Sequence, residues 1–155
     1  MSRVFVFSDP HFGHEKLAIH RGFSSAKEQD ELIIKNWNKT IHKRDTVYLL
    51  GDITMEKDNY SILKELNGII NVAQGNHDKP QHTQSLLNHV NKVASCYKLK
   101  DCLLTHIPIH PFEINRFKYN IHGHVHLNTI KDYRYINVCA EVMDYTPILL
   151  DALIK

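Results

Sequence analysis

Apolar runs in this chain are short, and most of them stop at a residue able to bind a metal ion. Residues 4–8 (Val-Phe-Val-Phe-Ser) form a β-rich run that leads into Asp9. Residues 46–50 end at Gly51-Asp52, and residues 69–73 lead to Gly75-Asn76-His77-Asp78. Short apolar runs of this kind, bounded by turn residues, read as buried strands. Between them the spacing becomes helical. Leu32, Ile33, Asn36, Trp37 and Ile41 fall near one face of a helix over 27–41, with Ser24 and Ser25 as its caps and Trp37 in the core. Residues 59–66 read as a second helix, stopped by Asn67-Gly68. Pro80 sits near the start of a third, which runs to about residue 89.

The second half is mostly strand. Residues 93–99 and 102–105 read as a hairpin joined near Lys100-Asp101, and 119–121, 135–138 and 148–150 as further short strands. A βαβαβα half followed by a β-rich half predicts stacked sheets with helices outside them. The chain has no repeat, linker or low-complexity segment, and its 155 residues suit one domain, 1–155. A domain of that size buries about 68–70% of its unfolded surface and needs no disulfide to fold.

Composition changes this picture little. The 43% apolar and 23% charged content is that of a soluble globular protein, and a net charge of +2 makes no general case for a nucleic-acid or membrane surface. Cys96, Cys102 and Cys139 form no CxxC pattern and are odd in number, which reads as free thiols in a reducing compartment. No apolar run approaches the ~20 residues of a membrane span, and no signal peptide precedes the first strand, so a cytoplasmic location without a membrane partner is expected. The abnormal number is the 12 histidines.

Five segments gather the candidate chemistry: Asp9-Pro10-His11, Gly51-Asp52, Gly75-Asn76-His77-Asp78, Thr105-His106 and Gly123-His124-Val125-His126. Four of them directly follow a predicted strand, so their side chains converge on one sheet edge. In extended chain, residues two apart share a face, so Asp9 with His11, and His124 with His126, can each reach one cation. Asp52 has two oxygens and can bridge two ions. Asn76 offers a carbonyl oxygen and His106 a nitrogen. A nitrogen and oxygen set without thiolate favours Mn²⁺, Fe or Zn²⁺ over a structural zinc site and does not decide among them. Two divalent ions are expected, Mn²⁺ first, with Fe, Zn²⁺ or Ni²⁺ as alternatives. Gly51, Gly75 and Gly123 each stand immediately before a candidate ligand, where a missing side chain permits close approach.

On these five blocks, in this order, the chain resembles the calcineurin-like metallophosphoesterase superfamily, and the stretch from Ser8 to His14 resembles a small, compact branch of it found in bacteria and phages. The blocks span residues 9–126. One departure is Thr105, where a small residue, often glycine, commonly precedes the histidine. The resemblance implies a four-layer α/β/β/α sandwich with the dinuclear site at the C-terminal edge of its strands. It implies that Asp9, His11 and His126 hold one ion, that Asn76, His106 and His124 hold the other, and that Asp52 bridges them. By the same resemblance His77 is not a ligand but contacts the substrate phosphate, and Asn76 lies beside it.

The remaining residues carry two readings each. Asp78 either hydrogen-bonds the His77 imidazole and fixes its tautomer, or caps the next helix or binds Lys79. His14 and Arg21 either touch substrate phosphate or serve as supporting and surface groups. The function expected is a metal-dependent phosphoesterase acting on a phosphomonoester or phosphodiester of a small, nucleotide-like substrate. A nuclease is the alternative, with Arg116, Lys118 and Tyr119 as a modest basic cluster. A non-catalytic scaffold is the third reading, disfavoured because every expected ligand is present.

Overall fold

The computed structural model describes residues 2–55 and 60–154. Among the described residues, nine strands form two mixed sheets. The first has the order β4-β3-β2-β1-β9, built from β1 (Val4–Phe7), β2 (Thr46–Leu49), β3 (Ile69–Ala73), β4 (Lys92–Ala94) and β9 (Ile148–Leu149). The second has the order β5-β6-β7-β8, from β5 (Cys96–Leu99), β6 (Cys102–Thr105), β7 (Tyr119–His122) and β8 (Tyr135–Asn137). Only β9 in the first sheet and β5 in the second run antiparallel to their neighbours.

Alternation within β1 explains why its run is apolar throughout. Phe5 and Phe7 point to one face, where α2 (Ala26–Thr40) lays Ile33 and Trp37 on them together with Ile41, just past the helix. Val6 points to the other, where it meets Leu104, Ile121 and Val138 of the second sheet's layer. A strand buried on both faces has no polar side to alternate. Trp37 is fully buried and donates its indole N–H to the Asn67 carbonyl at 2.8 Å. The second sheet's outer face is covered by residues 107–118, which include α4 (Pro111–Ile114). The Ile109 N–H donates to the buried Asn120 side chain there. Helix, sheet, sheet and helical cover give the expected α/β/β/α order.

Parallel registers bring the strand ends level. Phe7 lies opposite Leu49, and Leu49 opposite Val72. In the second sheet Thr105 lies opposite His122, and His122 opposite Asn137. Every candidate ligand therefore leaves its sheet at the same edge.

Several elements differ from expectation. The run 93–99 is two strands, not one: the chain breaks at Ser95, so β4 completes the first sheet and β5 starts the second. Residues 61–65 form a 3-10 turn (Ser61–Glu65) rather than an α-helix; Asn59, the expected start, lies outside the described residues. Past Pro80 come a 3-10 turn (Pro80–His82) and the short α3 (Thr83–Leu87). Short α1 (Glu15–His20), α4 and α5 (Leu150–Leu153) carry too few apolar positions to be seen by periodicity. The cap of α2 is Ser25, which accepts the Glu28 N–H. No helix among the described residues is long and apolar enough to cross a membrane.

Candidate metal centre

The structure brings the candidate ligands together in two groups. Asp9, His11 and His126 form one, and Asp52, His106 and His124 the other, each with ligand atoms within 4.8 Å of one another. Asp52 Oδ2 lies between them, 3.6 Å from His11 Nε2 and 3.3 Å from His106 Nε2. Asn76 Oδ1 lies 2.8 Å from His106 Nε2.

The means of convergence differs from extended backbone. Asp9, His11, Asp52, His124 and His126 all have positive φ, between 48° and 71°. Left-handed conformation is uncommon for residues with a side chain and costs of order 1–3 kcal/mol where the surroundings hold it. Here it turns consecutive side chains into the cleft, and hydrogen bonds hold the turned loops. Asp9 N–H donates to the Gly51 carbonyl at 3.1 Å, and His11 N–H to the Asp52 carbonyl at 3.0 Å. At Gly123 a Cβ would land on Ser8 Oγ and Asp9 Oδ2, and at Gly75 on Asp52, so both loops need glycine to pass so near the carboxylates.

Each carboxylate has one oxygen held by the protein and one aimed into the cleft. Asp9 Oδ2 accepts from the Ser8 hydroxyl at 2.5 Å, the His124 N–H at 2.9 Å and the Cys139 thiol at 3.4 Å. Asp9 Oδ1 has no partner, although it is buried, and neither ring nitrogen of the buried His11 has one. Burying unpartnered polar atoms is costly. An acceptor oxygen and imidazole nitrogens facing each other at 3.5 Å fit a cation between them. Asp52 Oδ1 takes the His77 N–H at 2.9 Å, which leaves Oδ2 for the cleft. The unpartnered Asp9 Oδ1 and His11 nitrogens and the free side of Asp52 Oδ2 fit two ions.

Second partners set the imidazole orientations. His106 Nδ1 lies 2.7 Å from the Leu50 carbonyl, so Nδ1 carries the proton and Nε2 faces Asp52. His126 Nδ1 lies 2.7 Å from Glu141 Oε1. The hydrogen bond to Glu141 raises the basicity of His126 against the opposing effect of burial. For His106 burial lowers it, but Asp52, Asp9 and the Leu50 carbonyl outweigh that and raise it overall. Burial pushes the Asp9 and Asp52 carboxyls up, and their imidazole and N–H contacts more than reverse it, holding both below the usual carboxylate range.

Two expected roles need correction. Asp78 does not reach the His77 imidazole. Its buried carboxylate accepts the N–H groups of Asp52 (2.7 Å), Ile53 (3.0 Å) and Gly75 (2.8 Å), clamping the β2 and β3 loops together. Arg21 is not a free phosphate donor, because its guanidinium is buried and turned onto protein oxygens. His77 itself is exposed, with its ring 5.7 Å from that of His11. His14 accepts the Leu17 N–H through Nδ1 and lies 5.8 Å from the His11 ring. Sequence reasoning missed Glu141, Gln29 and Cys139. None stands in a motif, and they meet the site only through tertiary contact.

Two recesses flank the paired groups. One, of about 490 Å³, lies beside His126 and is lined by Leu17, Leu127 and Tyr145 among others. The other, of about 340 Å³, lies beside Asn76 and His106 and is lined by Gln74, Ser95 and Thr105. Strand order puts them on opposite sides: His126 is tied to β8 through Asn137, next to β1 across the sheets, whereas Asn76 and His106 follow β3 and β6.

Fold and site together define an α/β sandwich whose paired Asp/His groups can hold two metal ions. No protein-family model matches the chain. It is 33% identical over 168 residues to the uncharacterized protein MJ1445 of Methanocaldococcus jannaschii, covering 100% of this chain and 91% of that protein, and it belongs to the same family. The gene 66 protein of Mycobacterium phage L5 is 33% identical over 86 residues, 52% of this chain and 42% of its own length. Among solved structures, the Aquifex aeolicus protein of unknown function AQ665 aligns with a TM-score of 0.77 and 30% identity, over 99% of this chain and 100% of its own. The Pseudomonas putida nuclease MPE aligns with a TM-score of 0.54 and 19% identity, over 80% of this chain and 62% of its own, a likeness of fold.

Proposed function

We propose that this protein is a single-domain, dinuclear-metal-dependent phosphoesterase of the calcineurin-like superfamily, acting on a small, nucleotide-like phosphate ester in the cytoplasm. The carrying observation is the pair of Asp/His groups with Asp52 Oδ2 between them and Asp9 Oδ1 buried without a partner. Asp9, His11 and His126 would hold one ion, Asn76, His106 and His124 the other, and Asp52 both; Mn²⁺ is the first candidate. Two such ions supply an activated water and neutralise charge on the phosphoryl oxygens. The protein's own part is to hold the ligands rigidly and to present His77. The exposed His77 imidazole beside His11 can contact the phosphate and donate a proton to the departing oxygen. His14 Nε2 is left for the substrate, since Nδ1 is engaged in the α1 cap.

The two recesses favour an ester with a substituent on each side of phosphorus, hence a diester over a monoester. The recess beside His126 would take one substituent and the recess beside Asn76 and His106 the other. A nuclease is the second reading, favoured by the same paired recesses and by the fold shared with the Pseudomonas putida nuclease MPE.

The test compares p-nitrophenyl phosphate, bis-p-nitrophenyl phosphate and a short single-stranded oligonucleotide, using metal-stripped protein with Mn²⁺ restored. Faster turnover of the small diester is expected. Faster oligonucleotide cleavage favours the nuclease, and no turnover of any with two ions bound overturns the phosphoesterase reading. His77→Ala should keep both ions and lose roughly 10²–10⁴-fold in turnover. Unchanged turnover would remove His77 from the chemistry.

A further inference from the structure

We propose that the buried pair Arg21–Glu141 is a positioning device for one of the two metal groups, fastening Asp9, His11 and His126 together. The proposal rests on the metal-binding reading above but not on phosphoesterase activity. Arg21 Nε donates to Glu141 Oε1 at 2.8 Å, and the same oxygen accepts from His126 Nδ1 at 2.7 Å. That bond keeps the proton on Nδ1 and leaves Nε2 to face Asp9 Oδ1 at 4.0 Å. The rest of the guanidinium grips the ligand loop from behind. One Nη2 N–H reaches the Asp9 carbonyl at 2.8 Å, and Nη1 reaches the Pro10 carbonyl at 3.1 Å and Gln29 Oε1 at 2.8 Å.

These carbonyls belong to the turn in which Asp9 and His11 hold left-handed backbone, so the guanidinium opposes relaxation of that turn. The Arg21 guanidinium thus ties the loop after β1 to Glu141, which lies 120 positions beyond Arg21 in the chain. Its side chain is 1% exposed and that of Glu141 8%, so neither bond competes freely with water. Only a forked, multi-donor side chain satisfies all four oxygens; a lysine ammonium has three donors on a flexible stem. The second group is held by other means: His106 is oriented by a backbone carbonyl, Asp52 by the His77 N–H, and the loops that carry Asp52 and Asn76 by the Asp78 carboxylate. Carboxylate partners of metal-bound histidines commonly control affinity by 10–100-fold.

The experiment is an equilibrium titration of metal-stripped protein with Mn²⁺, reading free Mn²⁺ by EPR and bound metal by elemental analysis. Wild type is expected to bind two ions. Glu141→Gln, which keeps the shape, and Arg21→Lys should each weaken one ion by roughly 10–100-fold and leave the other unchanged. In a double-mutant cycle, Glu141→Gln should add nothing to His126→Ala, because both act on the same ligand. Equal weakening of both ions, full additivity, or two unaltered affinities would overturn the proposal. Melting of the metal-free variants separates this from misfolding, and a folded wild type that binds no Mn²⁺ refutes the metal reading itself.

Discussion

At the residue scale, Asp78 is a carboxylate whose partners are all backbone N–H groups. It gathers three N–H groups, those of Asp52 and Ile53 buried and that of Gly75 partly so, from two loops that each carry a candidate ligand. Burial raises its pKa against those three donors. Truncation leaves the donors unmet, and each buried orphan costs about 1–3 kcal/mol. Asp78→Ala should therefore lower the urea midpoint of metal-free protein markedly, as well as weaken metal binding. A variant that melts like wild type and loses only turnover would restore the imidazole-orienting role. The residue types of the metal groups were legible in the sequence, since Asp, His and Asn recur immediately after apolar runs. Their backbone was not. Positive φ at Asp9, His11 and His126 depends on loop-to-loop hydrogen bonds that no local spacing encodes.

At the element scale, periodicity found the long pieces and lost the short ones. The helix expected over 27–41 is α2, and β3 and β6 match their expected bounds, because a long amphipathic face or a fully buried strand leaves a repeated pattern. The continuous run 93–99 is divided between two sheets, and only the partners on each side reveal the division. Trp37 links α2 to the first sheet, meeting Phe7 edge-on with ring centroids 6.0 Å apart. Trp37→Ala should cost about 3–5 kcal/mol in chemical denaturation, the usual range for emptying a large aromatic site. A loss below 1 kcal/mol would mean that the helix–sheet layer carries little of the stability.

At the scale of the whole molecule, acid stability has a defined contributor remote from the metal groups. Arg3, at the start of β1, donates through its backbone N–H and guanidinium to Asp45, at the start of β2. That guanidinium is the main reason the Asp45 carboxyl falls to about 2, with the His42 N–H adding to it against burial. A depressed carboxyl stabilises the fold above its unfolded pKa of 3.8 and loses that contribution as pH falls through about 2. The gap in urea midpoint between wild type and Asp45→Asn should thus be constant above pH ~5 and shrink progressively toward pH 2. A gap independent of pH would show that the lost contacts, not the charge, matter.

The sequence by itself determined β1, β2, β3 and α2, which residue types are offered as ligands, and that they leave the strands at one edge. Strand periodicity and the polar residue after each strand are local properties, so they survive without coordinates. Tertiary structure alone decided that the candidate ligands turn into the cleft on left-handed backbone, that Asp78 is a clamp, and that Arg21 faces inward to Glu141. Those outcomes depend on burial and on contacts between segments as far apart as residues 21 and 141, which are set only when the two sheets close on each other.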